Sequence, residues 1–267
     1  MKCFKNGMPV HDVELMDRAF HYGDGCFTTA KLIQGKIQCV ERHISRLEKA
    51  IQALHLKADL SLIQKSITLS GIENATIKVV ISRGVGQRGY SLPQQPADVW
   101  IFIYPQQSQL YIEPSVIESG VLSQKIGLSM PELVGLKTLN RLEQVLLKAE
   151  ADQKCLKEAL VVDIHERIVE GISSNCFLYI DGQWFTPELR YNGVHGIMRA
   201  EILERMQRHG ISCLQQELPR RAIEQIESLF FCNALTPMQI ASSLDGRQLD
   251  PQICVSLFHT LQLQQMN

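Results

Sequence analysis

Residues 158–187 read EALVVDIHERIVEGISSNCFLYIDGQWFTP, and this stretch decides the architecture. Three apolar runs, EALVVDI, RIVEG and NCFLYI, follow one another with only short turns between them, and Asp181-Gly182 then returns the chain into QWFTP. An Asp-Gly pair between apolar runs signals a two-residue hairpin, because both turn residues must adopt positive φ. Strands joined in this way lie antiparallel, whereas parallel neighbours need a crossover of a dozen or more residues. The stretch therefore predicts an α+β fold and disfavours a doubly wound parallel sheet.

The flanks agree. Upstream, TLNRLEQVLLKAE (138–150) is amphipathic through Leu139, Leu142, Leu146 and Ala149. Downstream, helices are predicted from about Ile197 to Arg208, stopped by Gly210, and from Pro219 to Leu229, enclosing the last strand, LFFCNAL. In the first forty residues Asn6-Gly7 and Gly35 mark two hairpins. Ile44, Leu47, Ile51 and Leu54 then form one apolar stripe on a helix from about Arg42 to Leu56, and a weaker helix covers Leu60–Leu69. TIKVVISRG and VWIFIYP read as strands. Between Pro105 and Pro114 charge and periodicity both fade, which places domains at 1–106 and 115–267 with a linker over 107–114.

The 267 residues carry 27 Lys+Arg against 28 Asp+Glu, a net charge of −1, and 45% are hydrophobic. That suits one large or two small globular domains and argues against a nucleic-acid partner, which would demand a basic excess. The longest uncharged stretch, Ser228 to Leu244, is broken by Asn233, Thr236, Gln239, Ser242 and Ser243, so no membrane partner is expected. MKCFKNGMPV has no apolar run behind its lysines, unlike a secretion signal. The eight cysteines form no C-x-x-C pair, and the histidines form no H-E-x-x-H. Buried, reduced thiols in a cytoplasmic protein are expected, and no metal site.

Residues 84–89, Gly-Val-Gly-Gln-Arg-Gly, spell a formal G-x-G-x-x-G after a strand. In a dinucleotide fold those glycines open a helix, but Tyr-Ser-Leu-Pro follows and Pro93 discourages one. The loop with Arg83, Arg88 and Tyr90 reads instead as an element facing a carboxylate-bearing ligand, since guanidinium groups and a phenol suit such a group. Lys137 just ahead of a helix, Glu170 between two β runs and Arg46 on the first helix are each ordinary surface residues when taken singly. Arg46 in particular falls roughly opposite Ile44 on the helical wheel.

Taken together with HYGDGCFTTA (21–30), ISRGVGQRGY, LKTLNRLEQVL, NGVHGIMR and CNALTP, these residues are similar to the fold-type IV pyridoxal-phosphate enzymes. That family includes branched-chain and D-amino-acid aminotransferases and aminodeoxychorismate lyase. The resemblance runs from Asn6-Gly7 through Thr236-Pro237 and leans towards the lyase branch. It implies a two-domain α+β fold, with a small N-terminal α/β sandwich and a larger β-rich C-terminal domain with helices that carries the lysine. It also implies pyridoxal 5'-phosphate as cofactor, a small-molecule substrate, and a homodimer with its active site between the domains.

Position by position, Lys137 matches the lysine that forms the Schiff base, Glu170 the acid at the pyridine nitrogen, and Arg46, in H-x-x-R-L, the phosphate clamp. Gly196-Ile197 would offer helix N-terminal amides to that phosphate, while Ser174, Asn175 and Asn233 would line the cofactor. Arg88 and Tyr90 would receive a substrate carboxylate. The aminotransferases place a glutamate after the residue matching Phe27, where this chain has Thr28 and then Thr29. A hydroxyl pair can orient a leaving group without adding negative charge, so Thr29 is expected to assist elimination. The expected activity is conversion of 4-amino-4-deoxychorismate to 4-aminobenzoate and pyruvate, with a D-amino-acid or branched-chain aminotransferase as the alternative.

Overall fold

The structure, a computed structural model, describes residues 1–106 and 113–265. These form two compact units, one of residues 1–106 and 136–140 and the other of 113–135 and 141–265. Most of the expected linker, 107–112, lies outside the described residues. Lys137 was expected with the C-terminal domain, but its five-residue segment groups with the N-terminal unit. Backbone pairing explains this: the Phe27 amide donates to the Lys137 carbonyl (2.9 Å) and the Leu139 amide to the Gly25 carbonyl (3.0 Å).

In the first unit the described strands are β1 (Lys2–Lys5), β2 (Met8–Pro9), β3 (Gly25–Ile33), β4 (Lys36–Ile37), β5 (Ala75–Ser82) and β6 (Asp98–Pro105). They make one antiparallel sheet in the order β2-β1-β6-β5-β3-β4. Asn6 and Gly7 (φ 52° and 76°) turn β1 into β2, and Gln34 and Gly35 (φ 49° and 75°) turn β3 into β4. Both pairs have the positive φ that the hairpin reading requires.

Helices α1 (Arg18–Tyr22), α2 (Val40–Ala53) and α3 (Ser61–Ser70) complete the unit. Side chains alternate across β3, so Cys26, Ala30 and Leu32 enter a core shared with Leu47, Ala50, Ile63 and Ile67. Phe27, Thr29 and Lys31 occupy the other, half-open face. The fully buried stripe of α2 is His43, Leu47 and Ala50, with Ile44, Ile51 and Leu54 at its margin.

The second unit contains β7 (Ser115–Ser119), β8 (Val121–Ile126), α4 (Leu142–Gln153), β9 (Leu160–Asp163), β10 (Arg167–Glu170), β11 (Asn175–Ile180) and β12 (Gln183–Pro187). It continues with α5 (Ile197–Arg208), β13 (Cys213–Gln216), β14 (Leu218–Pro219), β15 (Ser228–Cys232), β16 (Gln239–Leu244), β17 (Arg247–Gln248) and α6 (Pro251–Thr260). One sheet runs β14-β10-β9-β8, and another runs β13-β12-β11-β15-β16-β17 with β7 beside β16. The quoted stretch supplies β9 to β12, and Asp181-Gly182 makes the hairpin between the last two (φ 48° and 78°). Phe177 and Phe230, stacked at 4.8 Å, are fully buried on the neighbouring strands β11 and β15.

Two expectations need correction. The helix anticipated over Pro219–Leu229 is only a 3-10 turn at Arg220–Gln225, because Pro219 belongs to β14 and Ser228 already opens β15. In α4 the buried face is Leu147, Glu150 and Ala151, while Leu142, Leu146 and Ala149 are exposed. Glu150 turns inwards because its carboxylate accepts from the Ser123 and Gln124 amides (2.7 and 2.9 Å). Helix α6, which pattern alone did not flag, begins at an Asp250 cap whose carboxylate accepts from the Gln252 amide (2.9 Å), with Pro251 in its first turn. No described helix is long and apolar enough to cross a membrane.

Candidate active site

Lys137 lies beside β3, where its ammonium sits 4.8 Å from the centroid of the Phe27 ring. Lys78, from β5, lies at 4.8 Å from the same ring. Residues 137–139 continue the sheet along the edge of Gly25–Phe27, which fixes the lysine backbone independently of its side chain. Gly25 allows this close packing: a methyl group there would come within 2.1 Å of the Ile81 carbonyl and 2.9 Å of Leu139.

Arg46 is not the solvated arginine that the helical wheel suggests. Its Nε is buried, and one terminal nitrogen donates to the Thr28 hydroxyl. That hydroxyl lies 2.6 Å from Nδ1 of His43, one helical turn before Arg46. Burial, reinforced by the Arg46 charge, pushes the His43 imidazole down to about 3, so it is neutral near pH 7. Thr29 points to the opposite face of β3 from Thr28 and is opposite Lys78 in the register. The two adjacent threonines are therefore not equivalent: Thr28 touches Arg46, and Thr29 shares the face of Phe27.

The 84–90 loop opens no helix, in keeping with rejection of a dinucleotide motif. Arg88 and Tyr90 are exposed, Tyr90 by 84%. Their loop is nevertheless anchored, with Arg18 donating to the Gly89 carbonyl (2.7 Å) and the Gly89 amide to the Tyr22 hydroxyl (3.0 Å). Arg83, expected to face a ligand, is instead part of the scaffold. It donates to Asp24 (2.8 Å) and to the Leu54 and His55 carbonyls (2.7 and 3.3 Å) at the end of α2.

In the second unit Glu170 ends β10 as a buried carboxylate. One of its oxygens accepts from the Val194 amide (3.0 Å) and from the Asn175 side-chain amide (3.2 Å), which also donates to the Val194 carbonyl (2.9 Å). Burial pushes the Arg141 guanidinium down, and Glu170 pulls it back up, so Arg141 is a cationic neighbour of this carboxylate. Gly196 caps α5, and a methyl there would meet the Asn175 side-chain oxygen at 1.9 Å. Ile197 is the first residue of α5, whose opening N–H groups have no acceptor within the helix.

Ser174 is buried in the turn between β10 and β11. Asn233 is engaged in a turn of its own, its side-chain oxygen accepting from the Leu235 and Thr236 amides (3.0 and 2.9 Å), and its Nδ2 donates weakly to the Ser173 carbonyl (3.4 Å).

Sequence reasoning passed over Glu158. Its buried carboxylate gathers the Ile172, Ser173 and Ala159 amides and the Ser173 hydroxyl, and so shapes the turn that separates Glu170 from Asn175. Burial raises its carboxyl despite these donors. A Glu in an apolar strand run was its only visible sign. His43 did carry a signal, because three-residue spacing puts it on the same helical face as Arg46.

Residues 25–244 match the family model of amino-transferase class IV. The chain belongs to the class IV aminotransferase family. It is 34% identical to an aminodeoxychorismate lyase of Vibrio harveyi over 90% of both chains, and 24% identical to a D-alanine aminotransferase of Staphylococcus aureus over 93% and 91%. The crystal structure of 4-amino-4-deoxychorismate lyase from Pseudomonas aeruginosa superposes with a TM-score of 0.87 at 30% identity, covering 97% of this chain and 98% of that one. The family cofactor is pyridoxal 5'-phosphate, and the donor set fits it. In the first unit a lysine amine and an oriented arginine suit an aldehyde and a phosphate; in the second, an α-helix N-terminus suits a phosphate and the buried Glu170 carboxylate suits a protonated pyridine.

Proposed function

We propose that the chain is a pyridoxal-phosphate-dependent lyase that converts 4-amino-4-deoxychorismate to 4-aminobenzoate and pyruvate, a step towards folate. The likeness to two lyases of this name over nine-tenths or more of the chain carries this reading. When bound, pyridoxal phosphate supplies an electron sink for electrons released at the amine-bearing carbon. Glu170 keeps the pyridine nitrogen protonated, because a carboxylate favours the cationic ring. Asn175 and the Val194 amide hold Glu170 in place for that task.

Arg46 and the α5 N-terminus at Gly196-Ile197 bind the phosphate, while Ser174 and Asn233 line the cofactor. Lys137 takes the proton from the amine-bearing ring carbon, the enolpyruvyl ether oxygen leaves from the adjacent carbon, and the ring becomes aromatic. Thr29 orients that leaving oxygen, and Arg88 with Tyr90 receives a substrate carboxylate. The released enolpyruvate gains a proton to become pyruvate. A second copy of the chain covers the apolar groove beside Met8, Val13, Phe20 and Trp100, giving a homodimer. The free cysteines suit a cytoplasmic setting.

Incubation of the holoenzyme with 4-amino-4-deoxychorismate, without any 2-oxo acid, is expected to give equal amounts of 4-aminobenzoate and pyruvate. Lys137→Ala should abolish both products, and borohydride reduction should fix the cofactor on Lys137. Turnover that requires an amino-group acceptor would make the enzyme an aminotransferase instead. An unchanged pyruvate rate in Thr29→Val would remove that residue's role.

A further inference from the structure

Two side chains stand behind Arg46, and the reaction as outlined uses neither. Thr28, on β3, and His43, on α2, are both buried, at 2% and 4% exposure. Arg46 donates to the Thr28 hydroxyl, which lies 2.6 Å from Nδ1 of His43. We propose that His43, acting through Thr28, is a positioning residue that presets the Arg46 guanidinium for the cofactor phosphate. This inference rests on the reading of Arg46 as the phosphate clamp.

The hydrogen-bond chemistry links the three groups. A guanidinium has donors only, so the Thr28 oxygen accepts from Arg46. The neutral imidazole closes the chain in either tautomer: Nδ1 accepts the hydroxyl proton, or an Nδ1–H donates to the second lone pair of the hydroxyl. Each link is a fixed-geometry contact between a strand and a helix packed against each other. Arg46 has a long, rotamer-rich side chain, so ordering it before the phosphate arrives lowers the entropy lost on binding.

The test compares phosphate preference rather than turnover. Dissociation constants for pyridoxal 5'-phosphate and for phosphate-free pyridoxal are measured on wild type, His43→Leu, His43→Asn, Thr28→Val and Arg46→Ala, each stripped of cofactor. His43→Leu and Thr28→Val are expected to cut the preference for the phosphorylated form about tenfold while leaving pyridoxal affinity unchanged. His43→Asn, which restores an acceptor near Nδ1, should keep the wild-type ratio.

An unchanged ratio in both Thr28→Val and His43→Leu overturns the proposal, as does an equal loss for the two ligands, which would mark general damage. If His43→Leu fails to fold, Thr28→Val decides alone, since it removes only the linking hydroxyl. Arg46→Ala separates the layers. A ratio it leaves intact refutes the clamp itself, and with it this inference, whereas a collapsed ratio beside unchanged His43 and Thr28 variants refutes the relay only.

Discussion

Arg83 and Arg46 lie in the same unit and both engage α2, yet the structure treats them differently. Arg83 is held by the Asp24 carboxylate, which Arg18 also approaches at 2.8 Å, and by two backbone carbonyls at the end of the helix. Arg46 is held by a neutral hydroxyl backed by a neutral imidazole. A carboxylate orients a guanidinium and neutralises it, whereas a hydroxyl orients it and adds no charge of its own. On the proposed reading, the partner, more than burial or residue type, separates a scaffold arginine from one that would serve a ligand.

Mutations can break this contrast. Arg83→Leu leaves Asp24 in a nearly closed site without one of its two cations, and should cost about 3–5 kcal/mol of stability, read as a fall in the urea midpoint. Cofactor affinity of the remaining folded enzyme should stay within about twofold. Arg46→Ala should behave in the opposite way. Pyridoxal phosphate should bind roughly 100-fold more weakly, about 2.7 kcal/mol by affinity titration, with stability changed by less than about 1 kcal/mol. If both substitutions damage stability alone, the distinction between the two arginines fails.

The imidazole sharpens the comparison through pH. His43 is depressed in the folded protein to about 3 from its ordinary 6.5 by burial and by Arg46, so the unfolded chain binds a proton that the folded chain refuses. Its contribution to stability is present above pH 6.5 and is lost as pH falls towards 3, at no more than about 1.4 kcal/mol per pH unit. Urea melts at pH 7 and pH 5 should therefore show a smaller acid loss for His43→Asn than for wild type. At the low end of the scale, Lys125→Met breaks a half-exposed pair with Glu166 and should alter stability by less than about 1 kcal/mol in the same melts.

Much of this was legible in the chain. Asn6-Gly7, Gly35 and Asp181-Gly182 announce their hairpins because glycine, asparagine and aspartate tolerate the positive φ that such turns require. The α5 boundaries, Ile197–Arg208, follow from the pattern and from Gly210 beyond it. The failures have physical causes. Pro219–Leu229 has helical spacing, but its apolar residues Ile226 and Leu229 are claimed by the β core, and tertiary packing overrides propensity.

The α4 face was misassigned because a buried glutamate does not look apolar. Among the candidate site residues, Glu170 and Lys137 were readable only as part of a set, and Thr28 was hidden behind Thr29 because a sequence does not tell which of two adjacent strand residues faces the helices. Arg83 was misread because its partner, Asp24, is distant in sequence and invisible to spacing rules.

The strand edge at Gly25–Phe27 is covered by residues 137–139, made long after it. During synthesis the first hundred residues therefore wait with an open edge, a template for stray pairing between nascent chains. A fragment ending before residue 136 would carry that liability permanently. The segment bearing Lys137 thus doubles as the plug that makes its own half of the protein safe to fold.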